Sequence, residues 1–115
     1  MNAPLYPTPD EIRGQGQKVS IRDIQRATCR HFGIPMVDLL SHSKFPCHVE
    51  PRHVAMYLAR NVARRPWLFI AREFNRDCHS TIIHAVRKIE AQLDAGSSST
   101  RESLAAIKAA IGKEI

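Results

Sequence analysis

An all-α domain of about six helices is the fold class this sequence predicts, and three observations carry that reading. Apolar residues recur at spacings of three and four in one stretch after another, the period of a helix face. No stretch alternates apolar and polar residues in the way a half-buried strand does. The periodic stretches are separated by Gly, Pro and Ser punctuation with capping residues at their starts.

Residues 1–18 hold Pro4, Pro7, Pro9, Gly14 and Gly16 with little apolar periodicity and read as a flexible N-terminal arm. Ser20 followed by Asp23 is a capping pair. Ile21, Ile24, Thr28 and Phe32 then mark a first helix, which Gly33 stops. Pro35 opens a short helical turn through Val37, Leu39 and Leu40. Ser41–Val49 has Pro46 and no period, so it reads as a loop, and Pro51 suits the start of a helix running to Ala63 with Val54, Leu58 and Val62 inward. Pro66 begins a short helix with Trp67, Ile70, Ala71 and Phe74 inward, Trp67 as a core anchor. After a turn at Asn75–Asp77 comes the strongest helix, whose stripe Ile82, Val86, Ile89 and Leu93 is spaced by four, three and four. Gly96 and the serines 97–99 form a loop, and Ser99 with Glu102 caps a last amphipathic helix carrying Leu104, Ile107 and Ile111. The expected organisation is the arm at 1–18, a helical domain at 19–95, and a loop and helix at 96–115 packing on that domain.

Length and composition bound the function. The 115 residues are 43% apolar, enough for one domain with a modest core. Seventeen Lys and Arg against eleven Asp and Glu leave a formal charge of +6, which favours a polyanion, nucleic acid or acidic membrane surface. Between Val19 and Leu93 the count is twelve basic to six acidic residues, whereas the flanks cancel, so the excess belongs to the folded segment. Cys29, Cys47 and Cys78 are an odd set without C-x-x-C spacing, which predicts free thiols in a reducing compartment, Cys29 as a small core residue. The N-terminus has neither a basic nor an apolar signal region, and no apolar run approaches the ~20 residues of a membrane span. The expectation is a soluble cytoplasmic protein without a membrane role.

The helix from Ser80 carries the chemistry. At about 100° per residue its apolar stripe lies on one side, with Thr81, His84 and Lys88 opposite and Ser80 and Arg87 beside them. Short polar residues at a helix start let its backbone approach a major groove, where hydroxyl and imidazole groups reach base edges. The free N–H groups at His79–Thr81 favour a phosphate oxygen. With the short helix Pro66–Phe74 and a tight turn before it, the pattern fits a helix-turn-helix. An ordinary amphipathic helix with a solvated face has the same periodicity.

Several motifs in register resemble one family. Arg76-Asp77-Cys78-His79-Ser80-Thr81-Ile82-Ile83-His84-Ala85-Val86-Arg87-Lys88-Ile89-Glu90 resembles the helix-turn-helix stretch of the DnaA C-terminal DNA-binding domain. Asp38-Leu39-Leu40-Ser41 and Pro51-Arg52-His53-Val54-Ala55-Met56-Tyr57-Leu58-Ala59-Arg60 are similar to that family in the same order, so the likeness runs from about Val19 to Leu93. It implies a Trp-repressor-like helical domain (domain IV of the initiator) that binds a short asymmetric duplex site, the DnaA box, as a monomer. By position, His79, Ser80 and Thr81 match the segment that enters the major groove, with His84 one turn further on. Arg52, His53 and Arg60 match positions that hold phosphates. Arg64 and Arg65 extend the same acid-free basic surface, and Lys88 lies on the outer face of the reading helix.

Two departures point to an altered site or weaker binding. The family's minor-groove loop is rich in Lys and Arg, but Ser41–Glu50 keeps only Lys44 as a permanent cation, at the place of the minor-groove arginine. Cys78 stands where the family has an acidic residue before the histidine, the Arg-Asp pair being displaced to Arg76 and Asp77. No GxxxxGK(S/T) loop is present, since Gly112-Lys113 lacks the earlier glycine, so the resemblance is to the DNA-binding part alone, without the ATPase module. The implied partners are double-stranded DNA and, among proteins, the initiator and other replication proteins, in the nucleoid. The implied role is regulation of replication initiation. A transcription regulator with an altered target and a protein-interaction module that has lost DNA are the alternatives.

Metal and catalytic readings are weak. His79 and His84 are five apart and point away from each other, unlike a zinc-binding i, i+4 pair, and Cys47-His48 and Cys78-His79 are adjacent. Asp77, His79 and Ser80 are too local for a nucleophile triad, and helix capping is the better use of Ser80. No enzyme, cofactor or metal site is predicted.

Overall fold

Ser20 caps the first helix as the sequence predicts: its hydroxyl accepts from the Asp23 N–H at 3.1 Å while the Asp23 carboxylate accepts from the Ser20 N–H at 3.4 Å. The computed structural model describes residues 19–114, and the side chains of the last helix through residue 112. The proposed arm at 1–18 lies outside the described residues.

This capping box opens α1, Ile21–Phe32, which buries Ile21, Ile24, Ala27 and Thr28. Gly33, at φ 69°, closes it, its N–H donating to the Cys29 carbonyl at 2.8 Å. The left-handed conformation is open to glycine without a Cβ clash. A short α2, Met36–Leu39, buries Leu39 and leaves Val37 72% exposed.

The next helix departs from the sequence pattern. Periodicity puts Ser41–Val49 in a loop and the helix start at Pro51, but α3 runs Pro46–Asn61 with Pro51 inside it. Pro46 takes the first helical position, where a missing N–H costs nothing. Pro51 lies five residues further in and forfeits one backbone bond, while its ring is buried. The first turns hide their helicity in the sequence because Pro46, Cys47 and Glu50 face solvent, so no apolar stripe develops.

α4, Trp67–Glu73, turns Ile70 and Ala71 inward, with Phe74 fully buried at its C-cap. Trp67 is only half-buried, a correction to the expected core anchor: it packs against the core while the Arg60 guanidinium sits 4.0 Å from its ring centroid. The helix ends with Asn75 at φ 57° and the Arg76 N–H donating to the Ala71 carbonyl at 2.8 Å. That left-handed position is one Asn tolerates better than most side chains.

α5, Ser80–Asp94, buries Ile82, Ala85, Val86 and Ile89. It packs chiefly against α3, so the predicted stripe faces the core through Ile89, with Leu93 half-buried at its end. Gly96, at φ 82°, turns the chain into α6, Ser98–Glu114. Ser97, not Ser99, caps that helix: its hydroxyl accepts from the Thr100 N–H at 3.3 Å. Leu104, Ile107 and Ile111 are buried as expected, chiefly against α1. The described residues form six helices and no strand, and none of these helices is long and apolar enough to cross a membrane.

Candidate nucleic-acid interface

Because α5 gives its apolar stripe to the core, its opposite face is left to solvent: Ser80, Thr81, His84, Arg87 and Lys88 are all exposed. Cys78 and His79, in the turn before it, are exposed too. His79 rather than Ser80 is the N-cap and its side chain makes no capping bond, so Ser80 takes the first helical position, with the Cys78 sulfur of the preceding turn set against the Ser80 and Thr81 N–H groups. Cys78 Sγ lies 3.0 Å from Ser80 Oγ, and hydrogen bonding by that hydroxyl and the neighbouring backbone lowers the thiol below its ordinary pKa.

α3 brings His53 beside this face. Its imidazole is half-buried, and burial pushes its pKa down to about 4, with the charges of Lys88, His84 and Arg52 adding to the effect. His53, His84 and Lys88 therefore form one electropositive patch in which His53 is neutral at pH 7.

Arg52 stands elsewhere. The resemblance places it among phosphate-holding residues, but only 5% of its surface is exposed and its guanidinium is turned onto the 38–43 segment. Nε donates to the Leu39 carbonyl at 2.8 Å, Nη1 to the Ser43 carbonyl at 2.9 Å, and Nη2 to the Asp38 carbonyl at 3.0 Å. Arg76 grips the same segment from the other side, Nη2 donating to the Ser41 carbonyl at 2.9 Å and Nη1 to the Phe74 carbonyl at 3.0 Å. Arg52 thus fastens the loop to α3, and Arg76 fastens it to the turn before α5. Sequence reading misses this, because the partners lie up to 35 positions apart and no local pattern announces them.

The loop tip carries Lys44 and Phe45, both exposed. His48 steadies the loop from α3, Nδ1 lying 2.9 Å from Ser43 Oγ and Nε2 3.5 Å from Asp38 Oδ2. Arg60, Arg64 and Arg65 gather at the far end of α3. Arg60, half-buried over Trp67, donates to the Arg65 carbonyl at 3.0 Å. Arg65 lies 5.6 Å from the Phe69 ring centroid with its Nε buried and without a hydrogen-bond partner, and Arg64 is exposed at φ 55°. At about 1.5 Å rise per residue, some ~21 Å of helix separate Pro46, beside Lys44, from Arg60. His53 lies between them. No group of three His, Cys, Asp or Glu side chains that could hold a metal occurs among the described residues.

The bacterial dnaA protein helix-turn-helix family matches residues 21–89, from the first residue of α1 to the last buried stripe residue of α5. The chain belongs to this family. The short helix α4, the turn at 74–79 and α5 as far as Ile89 lie within the matched residues. Among similar proteins, the chromosomal replication initiator protein DnaA of Bartonella quintana (strain Toulouse) is 39% identical over 101 residues, covering 88% of this chain and 20% of the relative. The chromosomal replication initiator protein DnaA of Sphingopyxis alaskensis is 38% identical over 83% of this chain and 22% of its own length, and that of Caulobacter sp. (strain K31) is 41% identical over 70% and 16%. The chain spans about a fifth of the length of the DnaA relatives it matches.

Proposed function

We propose that this domain binds double-stranded DNA sequence-specifically at a DnaA-box-like site and acts in the control of chromosomal replication initiation. The observation that carries the reading is the division of α5 into an apolar stripe buried from Ile82 to Ile89 and an exposed polar and basic face that begins at Ser80. In this reading Cys78, His79, Ser80, Thr81 and His84 approach base edges in the major groove, where hydroxyls and imidazoles have donors and acceptors to meet. Lys88, Arg60, Arg64 and Arg65 hold phosphates, and His53 offers a neutral donor among them. Lys44 reaches the adjacent minor groove from the loop tip. Arg52 leaves the phosphate-holding set and becomes, with Arg76, a positioning residue for that loop. The spacing supports the scheme: ~21 Å along α3 matches roughly six base pairs at about 3.4 Å each.

Cys78 offers a base no strong acceptor, and the loop has one permanent cation, so the preferred sequence differs from the standard box. The deciding experiment is a titration with a DnaA-box duplex, a scrambled duplex and duplexes enriched from a random pool. Tighter binding to the enriched duplexes than to the scrambled one supports the reading. Equal affinity for all of them removes the specificity claim, and no duplex binding even at low salt removes DNA binding.

A further inference from the structure

We infer that Phe45 is an apolar wedge that enters the minor groove beside Lys44 and selects a deformable base step there; the inference rests on the DNA-binding reading above. Phe45 is 67% exposed, a large ring turned to solvent. Its ring meets that of His48 near a right angle, centroid to centroid 6.0 Å. Of the large apolar side chains exposed among the described residues, Val37, Phe45, Leu68 and Phe69, Phe45 is the one next to the loop's permanent cation.

The backbone under that ring is held on both sides. The Phe45 N–H donates to Ser43 Oγ at 3.2 Å, and its carbonyl accepts from the His48 and Val49 N–H groups at 2.8 and 2.9 Å. The following Pro46 begins α3, so the ring projects from a helix start and not from a floppy tip. Arg52 fastens the preceding carbonyls to α3, and Arg76 fastens Ser41 to the turn before α5. Whatever α5 reads, the position of Phe45 relative to it is therefore fixed beforehand, and little ordering entropy is lost on contact.

Chemistry favours the ring over its neighbour as the inserted group. Lys44 is a strongly hydrated point charge and suits the groove mouth, where it meets phosphates without losing its water. A phenyl ring gains by leaving water and stacking on sugars and base edges. Apolar wedges of this kind unstack a base step and kink the duplex toward the major groove. Flexible pyrimidine–purine steps deform most easily, so such a step is expected where the loop lands.

The test uses the full chain, wild type and the variants Phe45→Ala, Phe45→Trp and Lys44→Ala, on duplexes enriched by the wild type from a random pool, with 2-aminopurine placed in the loop-proximal step. Phe45→Ala is expected to weaken binding roughly ten- to a hundred-fold and to abolish the rise in 2-aminopurine fluorescence, while leaving the salt slope unchanged. Phe45→Trp retains both signals. Lys44→Ala lowers the salt slope by about one unit and keeps the fluorescence rise. Thermal unfolding verifies that Phe45→Ala is folded, as its exposure leads one to expect. Sequence-specific binding by the wild type with Phe45→Ala within two-fold of it overturns the wedge and leaves the DNA reading standing. Failure of the wild type to enrich any duplex overturns both.

Discussion

Arg52 and His53 are neighbours on α3 with opposite uses of charge. The Arg52 guanidinium closes two carbonyls of α2 and one of the loop, so Arg52→Ala takes this donor from the Leu39 and Ser43 carbonyls and is expected to destabilise the fold by about 2–4 kcal/mol in denaturant unfolding. Arg52→Lys rescues little, since one ammonium cannot span carbonyls that a planar fork reaches together. His53 is kept neutral by burial and by Lys88 and His84, its pKa falling from 6.5 to about 4. The fold therefore favours the unprotonated ring: its contribution is complete above pH 6.5 and is lost as pH falls toward 4. Unfolding midpoints measured between pH 4 and 7.5 should drop less steeply for His53→Gln than for the wild type. None of this was legible in the sequence, where Arg52 and His53 look alike as basic residues one position apart. Their environments separate them, and those come from α2, the loop and α5.

At the scale of the element, α5 was the most legible part of the chain. Its stripe at spacings of four, three and four repeats the helix period, and Ile82 and Ile89 are buried as that period requires. Ile82→Ala should cost about 2–5 kcal/mol, because packing on both sides prevents collapse of the cavity; a smaller loss in urea unfolding would mean that α5 is loosely docked. On the outer face, Thr81→Ala is expected to reduce discrimination between the preferred base pair and its replacements by about 1–3 kcal/mol while barely changing binding to random duplex. Arg60→Ala should weaken preferred and random duplexes alike, and competition binding separates the two patterns. The start of α3 was illegible for a definite reason. A helix turn that projects into solvent has no apolar periodicity, and two prolines five residues apart resemble a loop until Pro46 is seen at the first helical position.

For the whole molecule, the surplus of six charges between Val19 and Leu93 becomes several separated clusters. His53, His84 and Lys88 lie around the middle of α3, Lys44 stands near one of its ends, and Arg60, Arg64 and Arg65 gather at the other. If these clusters meet one duplex together, log affinity should fall with log salt at about 0.9 per phosphate held, a slope near −4 to −5 for the five permanent cations of the scheme. A slope near −1 in a salt titration would mean that only one cluster touches DNA.

Helix period, caps and the charge surplus are local or additive properties, so the chain alone determined an all-α fold, the polar face of α5 and its family likeness. Which basic residues remain free was settled only in three dimensions, because a guanidinium bonds to whatever carbonyls the packed chain brings within reach. Folding turned Arg52 and Arg76 inward to hold a loop, and it left Phe45, an apolar residue, outside at the tip of that loop.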